Sequence, residues 1–289
     1  LQIEKNRMND WEYSKKIQKK HGSKYYMATR FFPKKVRFAT YALYAWVREL
    51  DDIVDETSNK IEAKNKFESW IIDWRKTESG ETSTRPEMRA FMEVVRSFNI
   101  KQEYTESFIS SMRMDLEKTE YANIEELENY MYGSATVVGL MMMQIVGDFK
   151  EEAVPYAKAM AEAMQLGNFL RDVKDDYDKR DRIYMPCDDL ALHNLSIEDI
   201  KKYKLSIPFV KFKIAQARRL FEHAEHGIRL LPKKARFPIL LASRLYMAVL
   251  DEIEKQNFDV FIKRARVNIW QKIIISFKTY LWYRKNMSS

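Results

Sequence analysis

Residues 41–55 read Tyr41-Ala42-Leu43-Tyr44-Ala45-Trp46-Val47-Arg48-Glu49-Leu50-Asp51-Asp52-Ile53-Val54-Asp55, and how this stretch winds decides the fold. Tyr41, Tyr44, Arg48, Asp51 and Asp55 are separated by steps of 3, 4, 3 and 4, which places two aromatics, a guanidinium and two carboxylates on one face of an α-helix. A second stretch repeats the pattern: Gln165, Asn168, Asp172 and Asp176 follow steps of 3, 4 and 4 among Met164, Leu166, Phe169 and Leu170. Like charges on adjacent helical turns repel, and a bound cation removes the repulsion. Asp and Asn offer only oxygen, so the cation would be hard: Mg²⁺ held by one or two carboxylates from each cluster and completed by phosphate fits best. A Ca²⁺ loop is disfavoured, since the acids ride on helices. Residues alone leave two readings open, a divalent-metal diphosphate site and a solvated acidic face.

The rest of the chain agrees with long helices. Among 289 residues Gly and Pro number 7 each, well under the usual share, so tight turns are few and a sandwich, barrel or doubly wound sheet is disfavoured. Apolar residues make up 46% and charged residues 32%, a globular composition with heavily charged outer faces. Helical periodicity runs over about 33–56, 59–77, 86–97, 101–119, 124–147, 150–178, 207–230, 234–255 and 266–285. No linker or repeat divides the chain, so one domain over 1–289 is expected, with residues 1–20 set apart as a mobile segment and 266–289 as a basic amphipathic helix.

Cys187 stands alone and the four histidines are scattered, which predicts neither a disulfide nor a zinc site. No apolar run reaches spanning length, and the start of the chain, with Glu4, Lys5 and Arg7, is expected to carry no secretory leader; whether residues precede Leu1 stays open. The net charge of +8 is uneven: residues 1–30 carry +5, residues 260–289 carry +7 with no acid, and the middle is acidic at −4. Basic ends suit anionic surfaces or substrates; they also suit simple solvation.

At this point the residues resemble the squalene and phytoene synthases. The similarity runs from about His21 to Ile274 and is carried by His21-Gly22-Ser23-Lys24-Tyr25-Tyr26, Arg30-Phe31-Phe32-Pro33, the 44–55 stretch, and Tyr130-Met131-Tyr132-Gly133-Ser134-Ala135-Thr136-Val137-Val138-Gly139. Further motifs are Gln165–Asp176, Arg182-Ile183-Tyr184-Met185-Pro186, Tyr246, Leu250-Asp251-Glu252-Ile253 and Lys263-Arg264. Gly133-Ser134-Ala135 and Asp259-Val260-Phe261 are nearer in wording to prokaryotic phytoene synthases. The stretch Ser134–Gly139 departs from the Val-Ala-Gly-Thr-Val-Gly often found there.

The resemblance implies an all-α, single-domain class I isoprenoid synthase bundle around a central hydrophobic cavity, with the acidic clusters facing each other at its mouth. It implies that Asp51, Asp55, Asn168, Asp172 and Asp176 bind Mg²⁺, or Mn²⁺ in its place. Ser23, Lys24, Arg48, Arg171 and Arg264 would hold diphosphate oxygens, and Tyr44, Tyr184 and Tyr246 would join Asp51, Asp55, Asp172 and Asp176 in catalysis. Thr29, Tyr41, Tyr132, Ala135, Gly139, Met143 and Gln165 would line the tail pocket; plain helix packing also accounts for the small residues. Thr29 is small where C30-making relatives can carry a bulky aromatic, which favours C20 tails.

The activity implied is head-to-head condensation of two geranylgeranyl diphosphates, through cyclopropyl prephytoene diphosphate, to phytoene in carotenoid biosynthesis, with no NAD(P)H. A C30 dehydrosqualene or squalene synthase using farnesyl diphosphate is the alternative, and a non-catalytic lipid-binding or assembly factor is a remote one. The expected setting is cytoplasmic and peripheral on the inner face of the membrane, with other carotenoid-pathway enzymes as partners. No nucleic acid is expected, because no binding motif accompanies the basic charge. Ile269, Trp270, Ile273–Ile275, Phe277, Leu281 and Trp282, mixed with Lys272, Lys278, Arg284 and Lys285, suit a lipid surface or a final helix packed on the core.

Overall fold

The computed structural model describes residues 2–57, 59–147 and 150–287. Leu1, the side chains of Glu4, Lys5 and Arg7, and the last two residues of the expected 266–289 helix lie outside the described residues. Among the described residues there is no strand, and the α-helices are α1 (Gln2–His21), α2 (Ser23–Thr29), α3 (Lys34–Glu56), α4 (Lys60–Glu78), α5 (Pro86–Phe98), α6 (Gln102–Met114) and α7 (Ile124–Met131), then α8 (Val137–Val146), α9 (Val154–Arg180), α10 (Cys187–Ala191), α11 (Ile197–Lys201), α12 (Ile207–Gly227), α13 (Lys233–Lys255) and α14 (Ile269–Asn286).

Helix α3 is two-faced, and that divides the molecule. Its apolar side turns Trp46 into a cluster with Trp70 and Trp74 of α4, Phe91 of α5 and Phe108 of α6, at centroid distances of 5.4, 5.1, 4.7 and 5.3 Å. All five rings are buried, and truncating such a residue costs about 3–5 kcal/mol. The polar side, fixed by this anchoring, faces α9. Helix α9 in turn packs on α8, α12 and α13; its Leu166, Leu170 and Val173 are buried in the core, and Phe169 stacks on Tyr184 at 4.4 Å.

Three departures from periodicity matter. From Gln2 onward, the segment expected to be mobile is α1, packed on α3 and α5. Trp11, Ser14 and Gln18 form its buried stripe, and Asp10 pairs with Arg89 of α5 at 2.6 Å; two of the three stripe residues are polar, so hydrophobic periodicity did not reveal it. The expected 124–147 helix is interrupted by an i→i+5 turn, Tyr132–Thr136. Gly133 lies against α6 so closely that a Cβ would fall 2.2 Å from the Ser107 carbonyl oxygen, and the widened turn permits that approach. The expected 101–119 helix stops at Met114 because residues 119–122 instead accept backbone hydrogen bonds from Ile183, Cys187 and Asp188. No helix of the described residues is long and apolar enough to cross a membrane.

Candidate active site

The facing sides of α3 and α9 enclose a polar cavity of about 610 Å³. Beneath it lies an apolar cavity of about 260 Å³, walled by α2, α3, α8, α9, α12 and α13. The two share Tyr25, Tyr44, Val47, Ser134, Gln165 and Asn168, so a molecule with a charged head and an apolar tail can occupy both. Every residue assigned above to metal, diphosphate or catalysis borders the polar cavity.

On the α3 wall, Arg48 donates to Asp51 at 2.8 Å and also contacts Asp52. On the α9 wall, Asp172 accepts from Arg171, at 2.7 Å to one oxygen, and from Arg264 through a fork of 2.6 and 2.8 Å. Arg180 spans the walls: Nε is 3.0 Å from Oδ2 of Asp55 and Nη1 is 3.0 Å from Oδ1 of Asp176. The two clusters therefore oppose each other within the reach of a single guanidinium.

The charges are unevenly relieved. Burial opposes ionisation of Asp172, but Arg171 and Arg264 outweigh it and hold its carboxyl down at about 2. Asp51 is pushed up by burial and by the neighbouring Asp55 charge, and Asp176 by burial and Asp172. Among the described residues no three such groups close on one point as a metal cage. Mg²⁺ does not require one, since it is commonly held by one or two carboxylates and completed by phosphate oxygens. An all-oxygen donor set with crowded negative charge fits such an ion.

Aromatic groups line the neck. Tyr25 lies 6.1 Å from Tyr44 and 4.9 Å from Tyr246, centroid to centroid. Lys24 Nζ sits 3.9 Å above the Tyr246 ring, its amine pushed down by burial and by Arg171. Gly22 makes room for this group, because a Cβ there would fall 2.6 Å from the Tyr44 ring. Ser23 accepts from Lys272 of α14 at 2.8 Å. Deeper, Tyr130 and Tyr184 both donate to buried Asp115, at 2.8 and 2.9 Å. Arg182 lies 3.8 Å from Asp115 and donates to Asp55 at 2.6 Å.

Of the tail-pocket assignments, Thr29, Ala135, Gly139, Met143 and Gln165 border the apolar cavity, whereas Tyr41 and Tyr132 do not. Tyr41, one turn before Tyr44, is buried against Tyr26 and Phe38, with centroids at 6.0 and 6.2 Å. Tyr132 opens the widened turn and is 41% exposed on the outside, while Tyr130 takes the inward position. Asp115, Tyr130, Arg180 and Arg182 are site residues that the spacing argument missed. Tyr130 and Arg182 stood inside quoted motifs without a role; Asp115 left no signal, because its partners lie 15 and 69 residues away in sequence.

The sequence profile of the squalene/phytoene synthase family matches residues 18–271. A phytoene synthase of Arthrospira platensis is 31% identical over 93% of this chain and 91% of its own length. A 15-cis-phytoene synthase of Synechococcus elongatus is 31% identical over 91% and 90%. Among solved structures, a dehydrosqualene synthase in complex with a ligand superposes with a TM-score of 0.88 at 24% identity, over 97% of this chain and 99% of the other. The squalene synthase HpnC of Alicyclobacillus acidocaldarius does so with 0.77 at 24%, over 88% and 96%. At such identities the structural likeness speaks to the fold, that of the helical isoprenoid synthases.

Proposed function

The chain belongs to the squalene/phytoene synthase family, and from that we propose that it is a prenyltransferase, one isoprenoid synthase domain, that joins two geranylgeranyl diphosphates head to head to make phytoene. The observation that carries this reading is the pair of acidic walls, close enough to share Arg180, set over an apolar cavity continuous with the space between them.

Asp51 and Asp55 on one wall, and Asn168, Asp172 and Asp176 on the other, would hold Mg²⁺ or Mn²⁺. When bound, that ion supplies Lewis-acid stabilisation of the diphosphate charge. Arg48, Arg171 and Arg264 are placed to exchange their carboxylate contacts for phosphate oxygens, with Ser23 and Lys24 beside them. The first substrate loses diphosphate, its C1 is attacked by the double bond of the second, and loss of a proton closes the cyclopropane of prephytoene diphosphate. A second loss of diphosphate, rearrangement and loss of a proton give phytoene. Tyr44, which borders both cavities, would offer its ring to the cationic carbons. Tyr184 and Tyr246 would act from the wall of the polar cavity, the first stacked on Phe169 and the second beneath Lys24, and the apolar walls around the tails keep water out. No reducing cofactor is called for.

The runner-up is C30 synthesis from farnesyl diphosphate. Peripheral contact with the inner face of the cell membrane, from the cytoplasmic side, and with other carotenoid-pathway enzymes belongs to the same proposal, since substrate tails and product are lipids. Asp172→Asn tests the metal-assisted step: product formation should fall by about 10²-fold or more, and unchanged product formation would remove that cluster from the reaction.

A further inference from the structure

Arg180 is the last residue of α9, and Asp181 after it takes the left-handed conformation at φ 53°. The turn sends two arginines back to one carboxylate. Arg182 donates to Oδ1 of Asp55 at 2.6 Å and to the Val54 carbonyl and the Tyr184 hydroxyl, each at 3.4 Å. Arg180 meets Oδ2 of Asp55 at 3.0 Å and Oδ1 of Asp176, on the opposite wall, at 3.0 Å. The two are held differently. The Arg182 side chain is 7% exposed and that of Arg180 20%. Arg180 Nε faces Asp55 as a charge contact without the alignment of a hydrogen bond, and its long stem leaves the end of a helix, where a cation is favoured and a rotamer change moves no backbone.

We propose that Arg180 is a built-in counter-cation of this site: it ties Asp55 to Asp176, competes with a divalent ion for those two oxygens, and yields them when a diphosphate is present to take the displaced guanidinium. This role rests on the metal and diphosphate reading above and adds an order of binding to it. Asp176 is crowded by the Asp172 and Asp55 charges, so withdrawing the guanidinium with nothing in its place would leave like charges facing each other across the walls. A divalent ion relieves that crowding more fully than one guanidinium does. The displaced Arg180 then needs an anion of its own; it borders the polar cavity beside Lys179, and phosphate oxygens accept a guanidinium fork. Arg48, by contrast, meets carboxylates of the α3 wall, and Arg171 and Arg264 meet Asp172 of the α9 wall. Spanning both walls, Arg180 couples metal to diphosphate through one side chain, and by linkage each raises the affinity for the other.

Equilibrium dialysis of the full chain against Mn²⁺, with and without inorganic pyrophosphate, tests this without relying on product formation. Wild type should retain Mn²⁺ about tenfold more tightly with pyrophosphate than without it. Arg180→Gln, which removes the competing charge, should bind Mn²⁺ alone about tenfold more tightly than wild type, and pyrophosphate should then add little. Arg180→Lys keeps a cation that reaches one carboxylate at a time; it should fall between the two, and it decides the matter if the Gln variant does not fold. Melting temperatures give a second readout. Mn²⁺ alone should raise that of Arg180→Gln and leave wild type nearly unchanged, whereas Mn²⁺ with pyrophosphate should raise both. Affinity for Mn²⁺ alone that is equal to wild type, or weaker, in both variants overturns the role of Arg180 and leaves the metal site standing. No Mn²⁺ retained by any of the three proteins, with or without pyrophosphate, overturns the metal reading and this role with it.

Discussion

Tyr184 Oη lies 2.9 Å from Oδ1 of Asp115, and the other oxygen of that carboxylate accepts from Tyr130 at 2.8 Å. Each phenol has one proton to give. With both protons committed to Asp115, the Tyr184 hydroxyl also accepts from Arg182 Nη1 at 3.4 Å, so one carboxylate fixes the orientation of both phenols and of the guanidinium that reaches Asp55.

Asp115→Asn should disturb that orientation. The amide keeps one carbonyl oxygen, so one phenol loses its acceptor, at a cost of about 1–3 kcal/mol in stability. The kcat should fall by about tenfold or more while KM changes little, because Asp115 touches neither diphosphate donor nor tail wall. Steady-state kinetics with parallel thermal melts checks this; a change confined to KM would contradict it.

Thr29 closes α2 and borders the apolar cavity. Thr29→Phe puts a ring into space that a C20 tail would use. The kcat/KM for geranylgeranyl diphosphate should fall about tenfold or more relative to that for farnesyl diphosphate, measured with each substrate separately. An unchanged ratio would place the tail end elsewhere.

Much of this site was legible in the sequence. Asp51 and Asp55, like Asp172 and Asp176, sit on successive turns of long helices, and a helix converts such spacing directly into a shared face. Asp115 was not legible, because it follows the end of α6 and meets Tyr184 only through tertiary packing. Tyr132 was misplaced for a related reason. The widened turn from Tyr132 to Thr136 breaks the 3.6-residue period and admits the close approach of Gly133 to α6, a contact no local pattern encodes. Helix α1 escaped notice because its buried stripe includes Ser14 and Gln18, polar residues that a hydrophobic period does not register.

Away from the cavity, Glu87 in the first turn of α5 is 2% exposed, and burial pushes its carboxyl up to about 7, from 4.5. A folded-state pKa raised in this way contributes stability that is fully present below about 4.5 and lost as pH rises through about 7. Glu87→Gln has no charge to bury. The unfolding free energy of the variant relative to wild type should therefore increase by up to about 3 kcal/mol between about pH 4 and pH 8. Denaturant titrations across that range check it; a constant difference would show that Glu87 is relieved by some other contact.

The central claim is that the facing walls of α3 and α9 ionise geranylgeranyl diphosphate and join two such units. The most direct measurement gives the purified protein Mg²⁺ with geranylgeranyl diphosphate, farnesyl diphosphate or both, and identifies the hydrocarbon by mass. The expected result is phytoene as the main product from geranylgeranyl diphosphate, abolished by chelation and restored by Mg²⁺. A C30 hydrocarbon as the main product when both substrates are present, or undiminished product in chelator, would contradict the account.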